Sequence, residues 1–391
     1  MSQAAIHSEL LRRPWQVWGF IVAFALLIAG FVASNLIALH DGKLEKTQEQ
    51  GWNGFSQGKP MQALATDLRR TPLADWTGAR QRELGWLLFD DLGPRVREGC
   101  SGWLFLMDEL KSYPMARENA ETRARTVIAI HHALHERGSR LIVALVPDKT
   151  RIEQDRLCDL PRPRSLEARS QSWLNLLRAN GVETIDLAPP LREIKQRDGA
   201  AFDRTDTHWT LAGAEASAHA IAERMHAMGH TPAAPLRFER SREETRPRWG
   251  DLVRLAGLDT LPEALRPEPD QVAPYRFAAM PADTATSAAD LFGDTANDRV
   301  TLVGTSFSRN AQFSDFLADS LTSEVGNLAK DGGGFAQSMS DFIKKELHTG
   351  EGTPPWVIWE IPERVLQEPL GDPDHALRIP PWADETTRHD K

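Results

Sequence analysis

The sequence predicts an α/β fold: a mostly parallel sheet flanked by helices, preceded by one N-terminal transmembrane helix. Residues 141–146 (LIVALV) form a continuous apolar run, which is typical of a strand buried on both faces of a parallel sheet. Strand-like runs at 182–187, 299–303 and 356–361 alternate with segments of helical spacing. Residues 17–39 carry no charge and are long enough to be a membrane helix.

The apolar run at 17–39 is about 23 residues long, enough to span roughly 30 Å of hydrocarbon as a helix. Arg12 and Arg13 precede it, so the positive-inside rule predicts a cytoplasmic N-terminus (1–16) and a chain that lies outside after about residue 40. A cleaved signal peptide is the alternative. Because the run is longer than an ordinary signal core, we expect an uncleaved anchor.

The rest of the chain divides by composition. Residues 40–80 are polar and predict a stalk or linker, and residues 81–367 hold the alternating pattern of one main domain. The pattern weakens at about 232–293, which we interpret as a variable insertion, and residues 368–391 predict a flexible tail. Helices are expected in the main domain at about 121–137, 165–179 and 210–229.

Charge and cysteine content narrow the function classes. A net charge of -9 argues against a general nucleic-acid-binding protein. The two cysteines, Cys100 and Cys158, form a disulfide in an oxidising compartment or remain as two buried thiols, and the sequence leaves both open. Their spacing matches no metal site, and no metal is expected.

A complete catalytic set is split between two motifs. Asp206 and His208 lie two residues apart in a polar loop before a helix, with Trp209 expected to pack beside the imidazole. About 100 residues later, Ser306 follows a strand and opens a helical segment. A serine hydroxyl needs an imidazole to accept its proton and a carboxylate to hold that imidazole, so these residues predict serine-dependent acyl chemistry.

Other residues near Ser306 are weaker candidates. Ser308 is a competing serine, and the Ser306 N–H is the expected oxyanion donor at the start of a helical segment. Gly333 could bring a second backbone N–H to the site or belong to a flexible loop. Arg309 and Asn310 could reach the acetyl group or the sugar. Twelve histidines also make a chance Asp-x-His pair possible.

Six short motifs resemble the AlgJ/AlgX-like alginate O-acetyltransferase family, which is SGNH hydrolase-like with a permuted motif order. They occur in the family's order, with Asp-x-His before the serine motif. The motifs are Gly102–Phe105, Val146–Lys149, Asp206–Trp209, Gly250–Leu252, Gly304–Ser308 and Trp359–Arg364. The resemblance implies Ser306 as nucleophile, His208 as base and Asp206 as its orienting acid. The serine motif departs from the family's Gly-Asp-Ser by having a threonine in the middle.

The resemblance implies a polysaccharide O-acetyltransferase that works through an acetyl-serine intermediate, without a metal or organic cofactor. It further implies a single-pass protein of the bacterial inner membrane with a periplasmic catalytic domain. The expected partners are an exopolysaccharide (alginate-like or cellulose-like), a membrane-bound O-acyltransferase that supplies acetyl, and other polysaccharide-secretion components. The alternatives are a periplasmic acetylesterase with the same triad and a non-catalytic secretion scaffold.

Overall fold

The computed structural model describes residues 14–40, 71–232, 235–280, 300–349 and 353–377. The chain divides into two compact units, Met1–Asp91 and Leu92–Lys391. The first unit contains α1 (Pro14–His40) and α2 (Pro72–Phe89).

Helix α1 contains the predicted apolar run. Its segment Trp18–Ala38 is long and apolar enough to cross a membrane, judged by length and composition. Thr71 caps α2, and the N–H of Leu73 donates to Ser34 Oγ of α1 at 2.9 Å. Residues 41–70 of the predicted stalk lie outside the described residues. Because α2 runs to Phe89, the predicted stalk boundary at residue 80 falls inside a helix.

The elements of the second unit are labelled in chain order. The strands are β1 (Val96–Glu98), β2 (Leu104–Leu106), β3 (Arg140–Val146), β4 (Glu183–Asp186), β5 (Phe238–Arg242), β6 (Arg246–Arg248), β7 (Asp270–Val272), β8 (Tyr275–Ala279), β9 (Val300–Val303), β10 (Val325–Asn327) and β11 (Trp356–Pro362). The helices are α3 (Ala116–Glu136), α4 (Lys149–Ile152), α5 (Arg169–Ala179), α6 (Ala188–Asp198), α7 (Leu211–Ala227), α8 (Asp251–Leu255), α9 (Phe313–Leu321), α10 (Gln337–Thr349) and α11 (Asp372–Leu377).

Five parallel strands form the main sheet in the order β10-β9-β11-β3-β4. Strand β11 lies at the centre, and all seven of its residues are buried. Its Ile358 is in register with Ile142 of β3 and Leu302 of β9. The predicted mostly parallel sheet is therefore confirmed, with continuous apolar runs at the positions where both faces are covered.

Helices cover both faces of this sheet, and alternate residues of each strand point to opposite layers. On one face, Ile142 and Ile358 belong to the same core as Trp209, which precedes α7, and Phe313, which is the first residue of α9. On the other face, the cluster includes Val143 and Trp359 together with residues of α3, α5, α10 and α11. The carboxyl ends of β3, β9 and β11 are left at one edge, where the candidate site lies.

The predicted insertion contains defined structure. Strands β5 and β8 pair antiparallel, as do β6 and β7, and the short helix α8 lies between them. The predicted variable insertion at 232–293 thus includes α8, which begins beside the Asp206 loop. Residues 233–234 and 281–299 lie outside the described residues. The weak sequence pattern is explained by strands of three to five residues, which are too short to show a period.

Two further predictions can be placed. The predicted flexible tail starting at 368 contains α11, whose Leu377 is buried in the second core, and Arg123 donates to Asp374 at 2.9 Å. The tail prediction is therefore corrected for 372–377, and residues 378–391 lie outside the described residues. A disulfide joins Cys100 to Cys158, with 5.5 Å between their Cα atoms.

Candidate active site

Asp206, His208 and Ser306 form a continuous hydrogen-bonded series. His208 Nδ1 lies 2.5 Å from Asp206 Oδ1, and His208 Nε2 lies 2.7 Å from Ser306 Oγ. The side chains of Asp206 and His208 are nearly buried, whereas Ser306 is partly exposed. The structure thus brings together the three residues that the sequence selected, with the serine on the side open to solvent.

The Asp206 carboxylate decides which imidazole nitrogen carries the proton. Burial alone would raise the pKa of Asp206, but the hydrogen bond and charge of His208, together with Arg248, outweigh it and hold this pKa well below its usual range. An ionised carboxylate only accepts hydrogen bonds, so Nδ1 is the protonated nitrogen and Nε2 is free to accept from Ser306 Oγ. This is the tautomer that a general base requires.

The aromatic neighbour of the imidazole is Phe307 rather than the predicted Trp209. The ring centroids of His208 and Phe307 are 4.9 Å apart in an edge-on arrangement. Trp209 is fully buried and packs against Phe307 at 5.1 Å and Phe313 at 4.8 Å. Trp209 therefore packs in the hydrophobic core rather than beside the imidazole, because its side chain points into the core.

Lys149 stabilises the Asp206 loop by hydrogen bonds to its backbone carbonyls. It is buried, and its Nζ lies 2.7–3.0 Å from four backbone carbonyls. Those carbonyls belong to Leu104, Asp203, Arg204 and Asp206. Burial lowers the pKa of Lys149 to about 8. Three of these carbonyls belong to an irregular buried loop and the fourth, that of Leu104, to β2, and the three N–H groups of one ammonium group are shared among them.

Asp270 of β7 holds the same loop through its N–H groups. Its carboxylate accepts from the backbone N–H of Arg204 at 2.8 Å and of Thr205 at 3.0 Å, and from the Thr205 hydroxyl at 2.5 Å. Arg248 of β6 contacts Asp203 and lies 3.7 Å from Asp206 Oδ2. The region between the two motifs thus supplies positively and negatively charged side chains to the loop that carries His208.

Glu360 of β11 supports the turn that carries Ser306. This fully buried carboxylate accepts from Thr305 N–H at 2.6 Å and from the Thr305 and Ser308 hydroxyls at 3.0 Å. Burial raises the pKa of Glu360, although these hydrogen bonds oppose the shift. Ser308, the competing serine, is fully buried and directed to Glu360. Its hydroxyl is therefore already engaged away from His208.

The backbone at Ser306 differs from the predicted helical segment. Residues Ser306–Ser308 form a single 3₁₀ turn, and the α-helix begins only at Phe313. A full helix dipole therefore does not start at Ser306. The Ser306 N–H opens the turn, at a position where no intrahelical acceptor exists.

The weaker candidates have different surroundings. Asn310 Nδ2 donates to the Ser306 carbonyl at 2.9 Å and lies 3.4 Å from His208 Nε2, next to the reacting atoms. Arg309 is half exposed, with its Nε 3.2 Å from Asp331. The Gly333 N–H donates to the Lys330 carbonyl at 3.2 Å, and a hydrogen bond from Lys330 N–H to Gly304 O joins that loop to the serine turn.

Within the part of the chain that the structure describes, one group of three side chains has ligand atoms close enough to share a metal ion. It consists of Asp206, His208 and Asp251. Their hydrogen bonds account for this proximity. A metal at Nδ1 would replace the proton that Asp206 accepts. The donor set therefore fits an acid-oriented base better than a metal centre.

Sequence reasoning assigned no role to Lys149, Asp251 or Glu360, although each falls in a quoted motif. The structure buries Lys149, which follows β3 by three residues. For Lys149 the available signal was a charged residue close after a strand that is buried on both faces, and for Glu360 it was a carboxylate within such a strand. The hydrogen-bond partners lie far away in sequence, so the signal could not name them.

The comparisons with known proteins agree with this geometry. A family model described as an SGNH hydrolase-like domain, acetyltransferase AlgX, matches residues 96–363. The probable alginate O-acetylase AlgJ of Pseudomonas aeruginosa is 30% identical over 377 residues, covering 92% of this chain and 91% of that protein. The probable alginate O-acetylase AlgJ of Pseudomonas syringae is 34% identical over 342 residues, covering 86% and 82%.

A solved structure extends the likeness to the fold. The O-acetyltransferase domain of Pseudomonas putida AlgJ has a TM-score of 0.61 and 28% sequence identity, and it covers 73% of this chain and 99% of that domain. The matched family model spans the sheet, the Asp206 loop and the Ser306 turn. The chain therefore belongs to the SGNH hydrolase-like, AlgX-type acetyltransferase family.

Proposed function

We propose that this protein is an O-acetyltransferase that moves an acetyl group through Ser306 onto hydroxyls of an exported polysaccharide. The observation that carries the proposal is the series from Asp206 through His208 to Ser306, with distances of 2.5 and 2.7 Å. The relatives named alginate O-acetylases support an alginate-like polymer as the acceptor. A cellulose-like polymer is the alternative acceptor.

In the first half-reaction, Ser306 Oγ attacks the carbonyl carbon of an acetyl ester while His208 Nε2 takes the hydroxyl proton. The carbonyl electrons move to oxygen, and they return as the bond to the donor's leaving oxygen breaks. His208 gives its proton to that leaving group. Acetyl-Ser306 remains, and Asp206 stabilises the transient imidazolium without taking its proton.

In the second half-reaction, a sugar hydroxyl attacks acetyl-Ser306. His208 removes the hydroxyl proton, and the tetrahedral intermediate then releases Ser306, which regains a proton from His208. The product is an acetylated sugar, and the free enzyme is restored. Water in place of the sugar would give hydrolysis by the same residues, so the attacking group alone separates transferase from esterase.

For the oxyanion we propose two donors, the Ser306 N–H and Asn310 Nδ2. Asn310 already lies beside the Ser306 carbonyl and His208 Nε2, so a small rotation would aim its amide at the carbonyl oxygen of an acetyl group whose carbon is bound to Oγ. Such donors stabilise the charge that develops in the transition state. Arg309 stays a candidate for contact with the acetyl group or the sugar. The Gly333 N–H, the other predicted oxyanion donor, already donates to the Lys330 carbonyl.

We propose that α1 is an uncleaved single-pass anchor in the bacterial inner membrane, with the second unit in the periplasm. The apolar segment Trp18–Ala38 and the preceding Arg12 and Arg13 support this orientation. Cytosolic acetyl-CoA would not reach such a site directly. We therefore propose a membrane-bound O-acyltransferase as the acetyl supplier, together with other polysaccharide-secretion components.

The test uses the full chain in detergent with a chromogenic acetyl ester, and intact-mass spectrometry to detect acetyl-enzyme. Wild type is compared with Ser306→Ala and, as a matched control, Ser308→Ala. Acceptors are oligomers of alginate and of cellulose. We expect an acetyl adduct on wild type and Ser308→Ala, none on Ser306→Ala, and acetyl on an acceptor.

The other outcomes are equally definite. Ester hydrolysis at a rate independent of both acceptors would replace the proposed transferase by an esterase. Equal adduct on wild type and Ser306→Ala would remove Ser306 as nucleophile. No adduct and no turnover in any protein would favour a non-catalytic role in secretion.

A further inference from the structure

We propose that Asp251 is a positioning residue for the catalytic base, holding the His208 imidazole through Thr207 and setting a second carboxylate beside the ring. The inference rests on the proposed function of Asp206, His208 and Ser306. Asp251 comes from the region of the sequence that showed no clear pattern, at the first position of α8.

Asp251 accepts two hydrogen bonds from Thr207, the residue between Asp206 and His208. Its Oδ1 accepts from the Thr207 N–H at 2.7 Å, and its Oδ2 accepts from Thr207 Oγ1 at 2.7 Å. Thr207 Oγ1 in turn lies 3.3 Å from His208 Nδ1. Fixing both polar groups of Thr207 removes the local freedom that would otherwise let the imidazole turn away from Asp206.

The residues next to Asp251 bind the loop along its length. The Gly250 N–H donates to Thr205 Oγ1 at 2.9 Å, the Leu252 N–H donates to the Thr205 carbonyl at 3.2 Å, and the Asp251 N–H donates to Asp206 Oδ2 at 3.3 Å. A Cβ at Gly250 would collide with the Thr205 carbonyl and the Asp206 nitrogen. Glycine is therefore required for this close approach.

The carboxylate of Asp251 also acts by charge. Its Oδ2 lies 4.0 Å from His208 Nδ1, the side of the ring opposite Ser306. When His208 takes the serine proton, the buried imidazolium then faces two carboxylates, and a nearby opposite charge favours the charged form. The charged groups that act on Asp251 are Asp206 and His208. Arg248 offsets part of the negative charge near Asp206.

Acid weakens this arrangement in a defined order. Burial and the charge of Asp206 raise the pKa of Asp251, whereas the pKa of Asp206 lies well below its usual range. As pH falls, Asp251 is therefore protonated before Asp206. The second carboxylate is lost while the direct hydrogen bond to Nδ1 persists.

Three variants of the full chain separate the contributions. Asp251→Asn keeps the shape and an acceptor for the Thr207 N–H but removes the charge. Thr207→Val keeps the charge but removes the hydroxyl contact. Asp270→Asn is the matched comparator, because Asp270 accepts three hydrogen bonds from the same loop at Arg204 and Thr205 rather than at Thr207.

We expect Asp251→Asn to lower kcat for acetyl-serine formation by about 10–100-fold with KM within about twofold, since the loss falls on the proton-transfer step. Thr207→Val should lower kcat about three- to tenfold. Asp270→Asn should lower the melting temperature as much as Asp251→Asn with a smaller loss of kcat. A kcat for Asp251→Asn within twofold of wild type, or an equal loss in Asp270→Asn, would overturn the proposal.

A spectroscopic readout tests the same idea without turnover. A proton shared between His208 Nδ1 and Asp206 gives a low-field proton NMR resonance, assigned by its loss in His208→Ala. We expect this resonance in wild type and Asp270→Asn, and a shifted or broadened one in Asp251→Asn. If wild type forms no acetyl-serine, the proposed function fails, and an unchanged resonance in Asp251→Asn separately refutes the role of Asp251.

Discussion

The two halves of the site are held in different ways. Ser306 follows directly from β9, a strand of the main sheet, and one buried carboxylate from the neighbouring strand, Glu360, fixes its turn. His208 lies on an irregular loop that three charged residues hold from separate parts of the chain, namely Lys149, Asp251 and Asp270.

The difference reflects how each half satisfies its backbone. Parallel strands already pair their N–H and C=O groups, so a turn at a strand end has few left over. The loop at 203–207 has no ladder to pair with. Its carbonyls are served by Lys149 and its N–H groups by Asp251 and Asp270. A base on such a loop depends on more distant residues than the nucleophile does.

The largest expected effect comes from removing His208, through which the two halves of the site meet. His208→Ala should lower the rate of acetyl-serine formation by roughly 10³-fold or more, because the serine then has no proton acceptor. The double variant His208→Ala with Ser306→Ala should be no worse than Ser306→Ala alone, since residues of one catalytic unit are not additive. Single-turnover mass spectrometry measures acetyl-serine formation in His208→Ala, and residual hydrolysis of the chromogenic ester compares the double variant with Ser306→Ala. An additive loss would mean that the halves act independently.

Removing Lys149 should damage the base half in particular. Lys149→Met removes the ammonium group from four backbone carbonyls, of which only that of Arg204 keeps another described donor, the Leu104 N–H, so the free energy of unfolding should fall by about 2–4 kcal/mol. Chemical denaturation measures this loss. The control is Lys111→Met, whose half-exposed side chain pairs with Asp108 and should change stability by less than about 1 kcal/mol. Equal losses of unfolding free energy in the two variants would contradict the inference that Lys149 stabilises the Asp206 loop.

The base half should also make stability depend on pH through Asp203. Burial outweighs the attraction of Arg248 and raises the pKa of Asp203 to about 7. The folded chain then keeps a proton that the unfolded chain releases, so wild type loses stability as pH rises toward 7. Relative to wild type, Asp203→Asn should gain about 2–3 kcal/mol between pH 5 and pH 8.

Urea denaturation at a series of pH values measures this difference for Asp203→Asn. Asp198→Asn is the surface control, because Asp198 is exposed and pairs only with the neighbouring Arg197 among its described contacts. It should show no such gain. A pH-independent difference between Asp203→Asn and wild type would show that Asp203 stays ionised in the folded protein.

The smallest effect is expected in the nucleophile half. Glu360→Gln keeps the shape and one acceptor for the Thr305 N–H, so the free energy of unfolding should fall by about 1–2 kcal/mol. The rate of acetyl-serine formation should fall by less than about tenfold. Ser308→Ala removes one donor to Glu360 and should cost less. A larger loss than that of Lys149→Met would reverse the comparison between the halves.

The sequence predicted four of the five strands of the main sheet, and the three-residue edge strand β10 was not predicted. The runs at 141–146 and 356–361 coincide with β3 and β11, because burial on both faces makes such strands almost entirely apolar, with Glu360 as the exception. The runs at 182–187 and 299–303 likewise coincide with β4 and β9, within one or two residues. The two-residue spacing of Asp206 and His208 sufficed to suggest their contact, since it is local.

The supports of the site were beyond the sequence for a physical reason. Lys149 and Asp206 are separated by 57 residues, and Thr205 and Asp270 by 65. A charged side chain in a quoted motif does not reveal which distant carbonyl or N–H it meets. The threonine that departs from Gly-Asp-Ser likewise has a partner distant in sequence, because the Thr305 hydroxyl donates to Glu360 of β11. Only the fold shows that threonine there is bound to a carboxylate.

The central place of β11 has a consequence for biogenesis. This strand pairs with β3, which precedes it by more than 200 residues, and it carries Glu360. A chain that ends before Trp356 lacks the middle of the sheet and the support of the nucleophile turn. Contacts so far apart in sequence form slowly and late in folding. The site is thus complete only once the chain has been made through β11, so a translation product interrupted before this strand lacks the support of Ser306.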